Sequence, residues 1–323
     1  IFLIILILST MIVTSSLNWM SMWFGLEMNL LSMITIMSSD YPEKSESSMK
    51  YFITQVLASA IFIFSLILMF SLLYHSMTPV IMANLSMLIK MGAAPLHFWL
   101  PEVIQGLSWM NCTIMLTWQK LAPFGVMGSL PNSTFLIITS LIMSLLISGI
   151  LGINQTSLRK ILAYSSINHI SWMLATFLTN CNLWIMYLMI YSTLLLNMIL
   201  VLEFNKINKL SDIIESMQFN KLIKINFLIN FLALSGLPPT IGFFPKWIII
   251  NALVQNNFLL LSLIMVIFTL MMTFIYFRLM FTGIMFSNSS GSMTSQFSSI
   301  IFIFINILIL FSLVIGLLSL NFY

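Results

Sequence analysis

Residues 51–74 read YFITQVLASAIFIFSLILMFSLLY, a run without a charge that is apolar on every side of a helix. Strands of a membrane barrel alternate apolar and polar residues, so this run argues against a barrel. It is also longer than the roughly 20 residues a helix needs to cross a bilayer. The rest of the chain repeats the pattern. Of 323 residues, 60% are hydrophobic and 6% charged, against about 25% charged in a soluble domain. The mean hydropathy of +1.08 says the same. A soluble fold of this size has no interior large enough for so much apolar side chain, so lipid must cover much of it.

Apolar runs bounded by polar clusters predict an all-α polytopic membrane protein of about eleven transmembrane helices. The expected spans are 1–17, 19–38, 49–74, 78–105, 108–129, 133–152, 159–179, 182–204, 221–255, 257–284 and 298–320. Polar loops are expected at 39–48, 205–220 and 287–296. The fourth span is interrupted near Gly92-Ala93-Ala94-Pro95. The fifth carries Pro123 inside it, and the ninth is broken at Ser235-Gly236-Leu237-Pro238-Pro239.

Charge placement sets the orientation. Lys44, Lys50, Arg159, Lys160, Lys206, Lys209, Lys221, Lys224 and Arg278, nine of the twelve lysines and arginines, fall on or near the N-terminal side. The other three lie within helices. By the positive-inside rule the N-terminal side is cytoplasmic or matrix. The count also divides into two five-helix sets, about 1–130 and 131–285, followed by a C-terminal helix at 298–320. Five is odd, so the second set is inverted. The broken helix is fourth in each set, and paired interruptions of this kind point to a transport site. The whole chain, 1–323, reads as a single antiporter-like transmembrane domain.

The chemistry sits in the charges inside helices: Glu27, Lys90, Lys120 and Lys246. Each costs roughly 2.5–3.5 kcal/mol to insert at the bilayer centre on translocon scales. A static ion pair accounts for Glu27 and one lysine, but not for three lysines facing one glutamate. Desolvation lowers a buried lysine's proton affinity and a nearby carboxylate raises it, so such groups form a proton relay. His97 and His169 are possible bridges between lysines, or hydrogen-bonded packing histidines. Pro95, Gly236, Pro238 and Pro239 make the helix breaks. His75 reads as interfacial, and Glu102 and Arg159 as solvated end charges.

Other functions lack their residues. The net charge of +4 gives no basic patch for nucleic acid. Cys112 and Cys181 have no metal-ligand spacing and read as buried small apolar residues. No CxxC, Gly-rich phosphate loop or paired-histidine haem helix is present, so neither a cofactor nor a metal is expected in this chain. The Ile-rich bias and 27 Met fit an AT-rich organellar genome with altered start codons. The first residue, Ile1, fits that origin and a trimmed N-terminus equally, and no cleavable signal is evident.

Several segments resemble the antiporter-like subunits of respiratory complex I, in particular the subunit 2 family of mitochondrial NADH dehydrogenase. They are Gly25-Leu26-Glu27-Met28-Asn29-Leu30-Leu31-Ser32, Lys50-Tyr51-Phe52-Ile53-Thr54-Gln55, and Lys90-Met91-Gly92-Ala93-Ala94-Pro95-Leu96-His97-Phe98-Trp99. Three more follow in family order: Leu116-Thr117-Trp118-Gln119-Lys120-Leu121-Ala122-Pro123, Asn154-Gln155-Thr156-Ser157-Leu158-Arg159-Lys160, and Gly236-Leu237-Pro238-Pro239-Thr240-Ile241-Gly242-Phe243-Phe244-Pro245-Lys246-Trp247. The resemblance implies eleven helices, the mitochondrial inner membrane with the N-terminus on the matrix side, and a proton path through Glu27, Lys90, Lys120 and Lys246 with His97 as companion. It implies that NADH, FMN, iron–sulfur clusters and ubiquinone are handled by other subunits. The partners expected are the other membrane-arm subunits of complex I and lipid, not a second copy of this chain. A freestanding cation/proton antiporter is the alternative, and a scaffold with inert ion pairs a third reading.

Overall fold

The computed structural model describes residues 1–38, 42–71, 77–131, 133–213, 221–238 and 240–285. The expected C-terminal helix at 298–320, the 287–296 loop, His75 and Pro239 lie outside these. Helices dominate: α1 (Phe2–Ser15), α2 (Trp19–Met37), α3 (Pro42–Ser71), α4 (Thr78–Met91), α5 (Trp99–Gly106), α6 (Trp109–Leu116), α7 (Trp118–Ser129), α8 (Thr134–Ile153), α9 (Leu158–Thr176), α10 (Leu183–Phe204), α11 (Lys221–Ser235), α12 (Phe243–Gln255) and α13 (Leu259–Met285). Among the described residues there is no strand, only an isolated antiparallel bridge between Ser157 and Lys209. Trp19–Met37, Lys44–Ser71, Thr134–Ile153, Leu183–Phe204 and Leu259–Phe281 are long and apolar enough to cross a membrane. Their outer faces expose large apolar side chains such as Phe24, Leu31, Phe64, Ile67 and Phe274. In a bilayer that surface meets acyl chains rather than water.

Two boundaries differ from the sequence reading. The third helix starts at Pro42 rather than near residue 49, because proline is pre-organised for a first helical position. The Glu46–Lys50 pair, 2.9 Å apart at i,i+4, supports the same turns. The fifth span is not continuous. Its backbone leaves helical geometry at Thr117 (φ −115°, ψ −70°), which divides α6 from α7. Pro123 lies nearly two turns beyond and has no N–H for the carbonyl of Gln119.

The two interruptions near glycine are built alike. In the first, the Gly92 N–H bonds Ile89 O and the Ala93 N–H bonds Leu88 O, both at 3.0 Å. In the second, the Gly236 N–H bonds Ala233 O at 3.1 Å and the Leu237 N–H bonds Leu232 O at 3.5 Å. This is the Schellman pattern, which needs a left-handed residue after the helix. Both Gly92 and Gly236 have φ of 75°.

Helix packing follows the same plan twice. The contacts α1–α2, α2–α3, α3–α4, α3–α5, α4–α7, α1–α7 and α2–α7 have counterparts in α8–α9, α9–α10, α10–α11, α10–α12, α11–α13, α8–α13 and α9–α13. The halves meet where α5 and α6 pack on α9, α6 on α10 and α4 on α8. Helix α9 is the hub, and every residue in 161–176 is buried. Cys112 is buried as expected, whereas Cys181 is only part-buried.

Close packing of α1 on α2 depends on Gly25, where an added Cβ would stand 2.6 Å from Val13 Cγ2. Gly25→Leu is expected to overpack this contact and destabilise the protein by about 1–3 kcal/mol. Thermal unfolding of the detergent-solubilised protein measures it, and an unchanged midpoint would contradict the packing described.

Candidate functional site

Three lysines lie deep in the bundle: Lys90, Lys120 and Lys246 are 6%, 2% and 7% exposed. Such burial demands compensating dipoles. Lys246, on α12, reaches back across the second interruption, and its Nζ donates to Ser235 O at 2.8 Å. Ser235 is the last residue of α11, where carbonyls lack helical partners and the helix dipole is negative. Lys90 belongs to the last turn of α4, the equivalent end of the other broken helix. The second break therefore offers a buried cation the negative end of a half-helix. Gly236 also makes room, since a Cβ there would stand 2.7 Å from Lys246 Nζ.

Lys120 is held differently. It sits in the first turn of α7, just past the Thr117 break. Its Nζ donates to Ser166 O at 3.4 Å and lies 4.7 Å from the centre of the Tyr191 ring. Lys246 stands 5.8 Å over Trp172 in the same fashion. Ser166 and Trp172 both belong to α9, as does His169 between them. His169 Nδ1 shares a 2.8 Å hydrogen bond with the Tyr187 hydroxyl, and its ring lies 4.5 Å from that of Tyr191. It is within electrostatic reach of both Lys246 and Lys120. The buried hydroxyls of Tyr191 and Tyr276 lie beside Ser166 and Ser165, whose own hydroxyls bond Ala163 O and Leu162 O.

Lys90 has a separate setting. A small cavity of about 10 Å³ is lined by Asn29, Tyr51, Gln55, Lys90, Gln119 and Pro123, with Leu26 and Leu30. Gln55 Nε2 donates to Lys90 O at 3.4 Å, and Trp99 Nε1 bonds Ile89 O at 3.0 Å. The carbonyls freed at this break are thus covered by side chains. Glu27 is part-buried on α2 and within electrostatic reach of Lys90. It makes no ion pair within 4 Å among the described residues; those found there are Lys50 with Glu46 and with Glu102.

The structure thus brings Lys120, His169 and Lys246 around α9 and sets Lys90 near Glu27. His97 is buried, but its polar contact is local: Nδ1 lies 3.2 Å from Pro95 O, and Nε2 has no partner among the described residues. Pro95 lies in the first interruption, and Pro238 in the second, two residues after Gly236. Sequence reasoning assigned no role to Tyr187, Tyr191, Trp172, Asn29 or Gln119. One signal was available. Helix α9 carries Ser165, Ser166, Asn168, His169 and Ser171 yet is buried all round, which marks it as facing protein rather than lipid.

One end of the bundle opens into a cleft of about 790 Å³, whose lining includes Glu46, Lys50, Glu102, Arg159, Lys160 and Lys209. Arg159 spans it, donating to Gln105 O at 3.2 Å and Asn208 Oδ1 at 2.9 Å while lying 5.0 Å over Trp109. Four cations assigned to one side by charge placement therefore share one cleft. Glu102, read as a solvated end charge, is exposed there and pairs with Lys50.

Paired helix breaks around buried lysines are a transport architecture. The chain belongs to the NADH:quinone oxidoreductase/Mrp antiporter transmembrane family, whose profile matches residues 16–273. It is 40% identical to NADH-ubiquinone oxidoreductase chain 2 of Anopheles gambiae, over 95% of this chain and 94% of that one. To the same-named chain of Locusta migratoria it is 40% identical, over 91% and 88%. Its fold is similar to a chain of respiratory complex I from Thermus thermophilus, with TM-score 0.85 and 21% identity, over 98% of this chain and 77% of that one. A chain of the Mrp complex from Dietzia follows at TM-score 0.79 and 15% identity, over 91% and 62%.

Gly236→Ala is expected to cost about 1–2 kcal/mol through its left-handed backbone. The new methyl also drives Lys246 Nζ from Ser235 O. Thermal unfolding of this variant against Gly236→Ala/Lys246→Met separates the effects. Equal losses, with no part relieved by removing the lysine, would contradict the close approach.

Proposed function

We propose that this chain is a core subunit of the membrane arm of respiratory NADH:ubiquinone oxidoreductase and takes part in proton translocation coupled to electron transfer. The observation that carries the reading is the arrangement of Lys120, His169 and Lys246 around one buried helix, without a carboxylate in direct contact among the described residues. Ammonium groups held by carbonyls and aromatic faces, not locked in ion pairs, are free to exchange a proton when a neighbouring charge changes. Glu27 and Lys90 form the second part of the path, and His97 and His169 are its relays. The similarity to NADH-ubiquinone oxidoreductase chain 2 supports the assignment to that complex.

On this reading the chain spans the mitochondrial inner membrane about eleven times, with the N-terminus in the matrix. The matched contact pattern supports two inverted five-helix repeats, 1–130 and 131–285. The basic cleft opens to the matrix. The chain is not catalytic in isolation; NADH, FMN, iron–sulfur clusters and ubiquinone belong to other subunits, and the sequence has no motif for holding them. Its neighbours are other membrane-arm subunits and lipid.

A freestanding cation/proton antiporter is the second reading, favoured by the fold shared with a chain of the Mrp complex. Coordinating a metal cation calls for clustered oxygen ligands. Among the described residues no group of three or more His, Cys, Asp or Glu could hold an ion, which favours the subunit reading.

Lys120→Met is expected to slow proton transfer through this subunit by roughly a hundredfold, the loss typical of a missing acid–base group. Proteoliposomes containing the intact complex measure it as protons moved per NADH oxidised. Comigration with the NADH dehydrogenase band on a blue-native gel tests the assignment itself. Migration alone, with cation-dependent proton flux in liposomes, would establish the antiporter instead.

A further inference from the structure

Two polar clusters share one turn of helix. Gln119 and Lys120 are adjacent at the start of α7, and neighbouring residues point about 100° apart on a helix. Gln119 faces the Lys90 cavity. Lys120 faces Ser166 and Tyr191. The turn that carries both is short of helical hydrogen bonds. It follows the Thr117 break, and Pro123 gives the Gln119 carbonyl no helical donor. A small rotation of this turn moves both side chains together.

The Gln119 carboxamide is held at both ends. Its Nε2 donates to Asn29 Oδ1 at 2.8 Å, and its Oε1 accepts from the Tyr51 hydroxyl at 3.3 Å. Tyr51 and Asn29 are each 3% exposed. Tyr51 directly follows Lys50, whose ammonium lines the basic cleft. Gln119 and Tyr51 both line the cavity of Lys90. That cavity, about 10 Å³, is close to the minimum of about 10–15 Å³ that one water needs.

An amide has distinct donor and acceptor ends. In the orientation present, the Tyr51 proton is directed at Gln119 Oε1. Half a turn of the carboxamide presents Nε2 to Tyr51 instead. Tyr51 Oη then accepts, and its proton is released toward the cavity that Lys90 lines. Asn29 turns its own amide to match.

We propose that Gln119 is a positioning residue, a carboxamide latch that turns the Tyr51 proton toward or away from the Lys90 cavity and passes the change to Lys120 through the Thr117 hinge. The inference rests on the proton-translocation reading. It joins the two lysine clusters by a mechanical element with two discrete states, which is what physical coupling between sites requires.

The test uses the intact complex in proteoliposomes and compares Gln119→Met, Gln119→Glu and Lys120→Met. Methionine matches glutamine in length and fills the site without hydrogen bonding. Gln119→Met is expected to slow proton pumping by roughly threefold or more and to change its solvent deuterium isotope effect. Gln119→Glu, whose carboxylate accepts at both oxygens and cannot present a donor to Tyr51, is expected to stay as slow as Gln119→Met. Should Gln119→Met pump as the wild type while Lys120→Met does not, the latch is overturned and the proton path stands. Wild-type pumping by both overturns both. Should Gln119→Met fail to assemble, Tyr51→Phe decides: slowed pumping with an altered isotope effect supports the latch, and wild-type pumping overturns it.

Discussion

Keeping an ammonium group away from water inside an apolar bundle is the constraint on which the rest of the structure depends. An unpaired charge transferred to such a medium is strongly disfavoured, and the protein must supply dipoles where water is absent. Lys246 receives the carbonyl that ends α11, Lys120 uses a carbonyl of α9 and the face of Tyr191, and Lys90 lines a small cavity with Asn29, Gln55 and Gln119. None of the three has a carboxylate within ion-pair distance among the described residues.

The helix breaks follow from that constraint. An unbroken helix satisfies its own carbonyls and has little to offer a cation at mid-membrane. Ending it there frees carbonyls and exposes the negative end of its dipole. Glycine at 92 and 236 makes the termination sharp, because each must be left-handed. At 236 its missing Cβ also leaves the space that Lys246 occupies. Helix α9 follows in turn. Side chains from both halves converge on it, so it is buried all round and tolerates serines, an asparagine and a histidine that a lipid-facing helix would exclude. Tyr187 and Tyr191 from α10 complete the enclosure around His169.

Much of this was legible in the sequence because membrane burial leaves a coarse imprint. Apolar runs marked the spans, and Gly-Pro clusters marked the breaks near residues 92 and 236. The scarcity of charge made Lys90, Lys120 and Lys246 conspicuous, and all three are buried. The finer features left no such imprint. The Thr117 break has no glycine and lies nearly two turns before Pro123, so the fifth span read as one helix with a proline inside it. The Tyr51–Gln119–Asn29 chain joins α3, α7 and α2, and no local pattern records which helices become neighbours. Pro42 looked like loop because the charged residues after it resemble one, whereas their i,i+4 pairing stabilises the helix.

Proton exchange at the buried lysines, as proposed, distinguishes them from fixed charges. Infrared difference spectra of the complex, resting against turning over, test it most directly when lysine nitrogen is labelled with nitrogen-15. The account predicts isotope-sensitive ammonium bands that change with turnover and vanish in Lys120→Met/Lys246→Met. Isotope-sensitive bands that stay identical at rest and during turnover would contradict it and leave the lysines as structural charges.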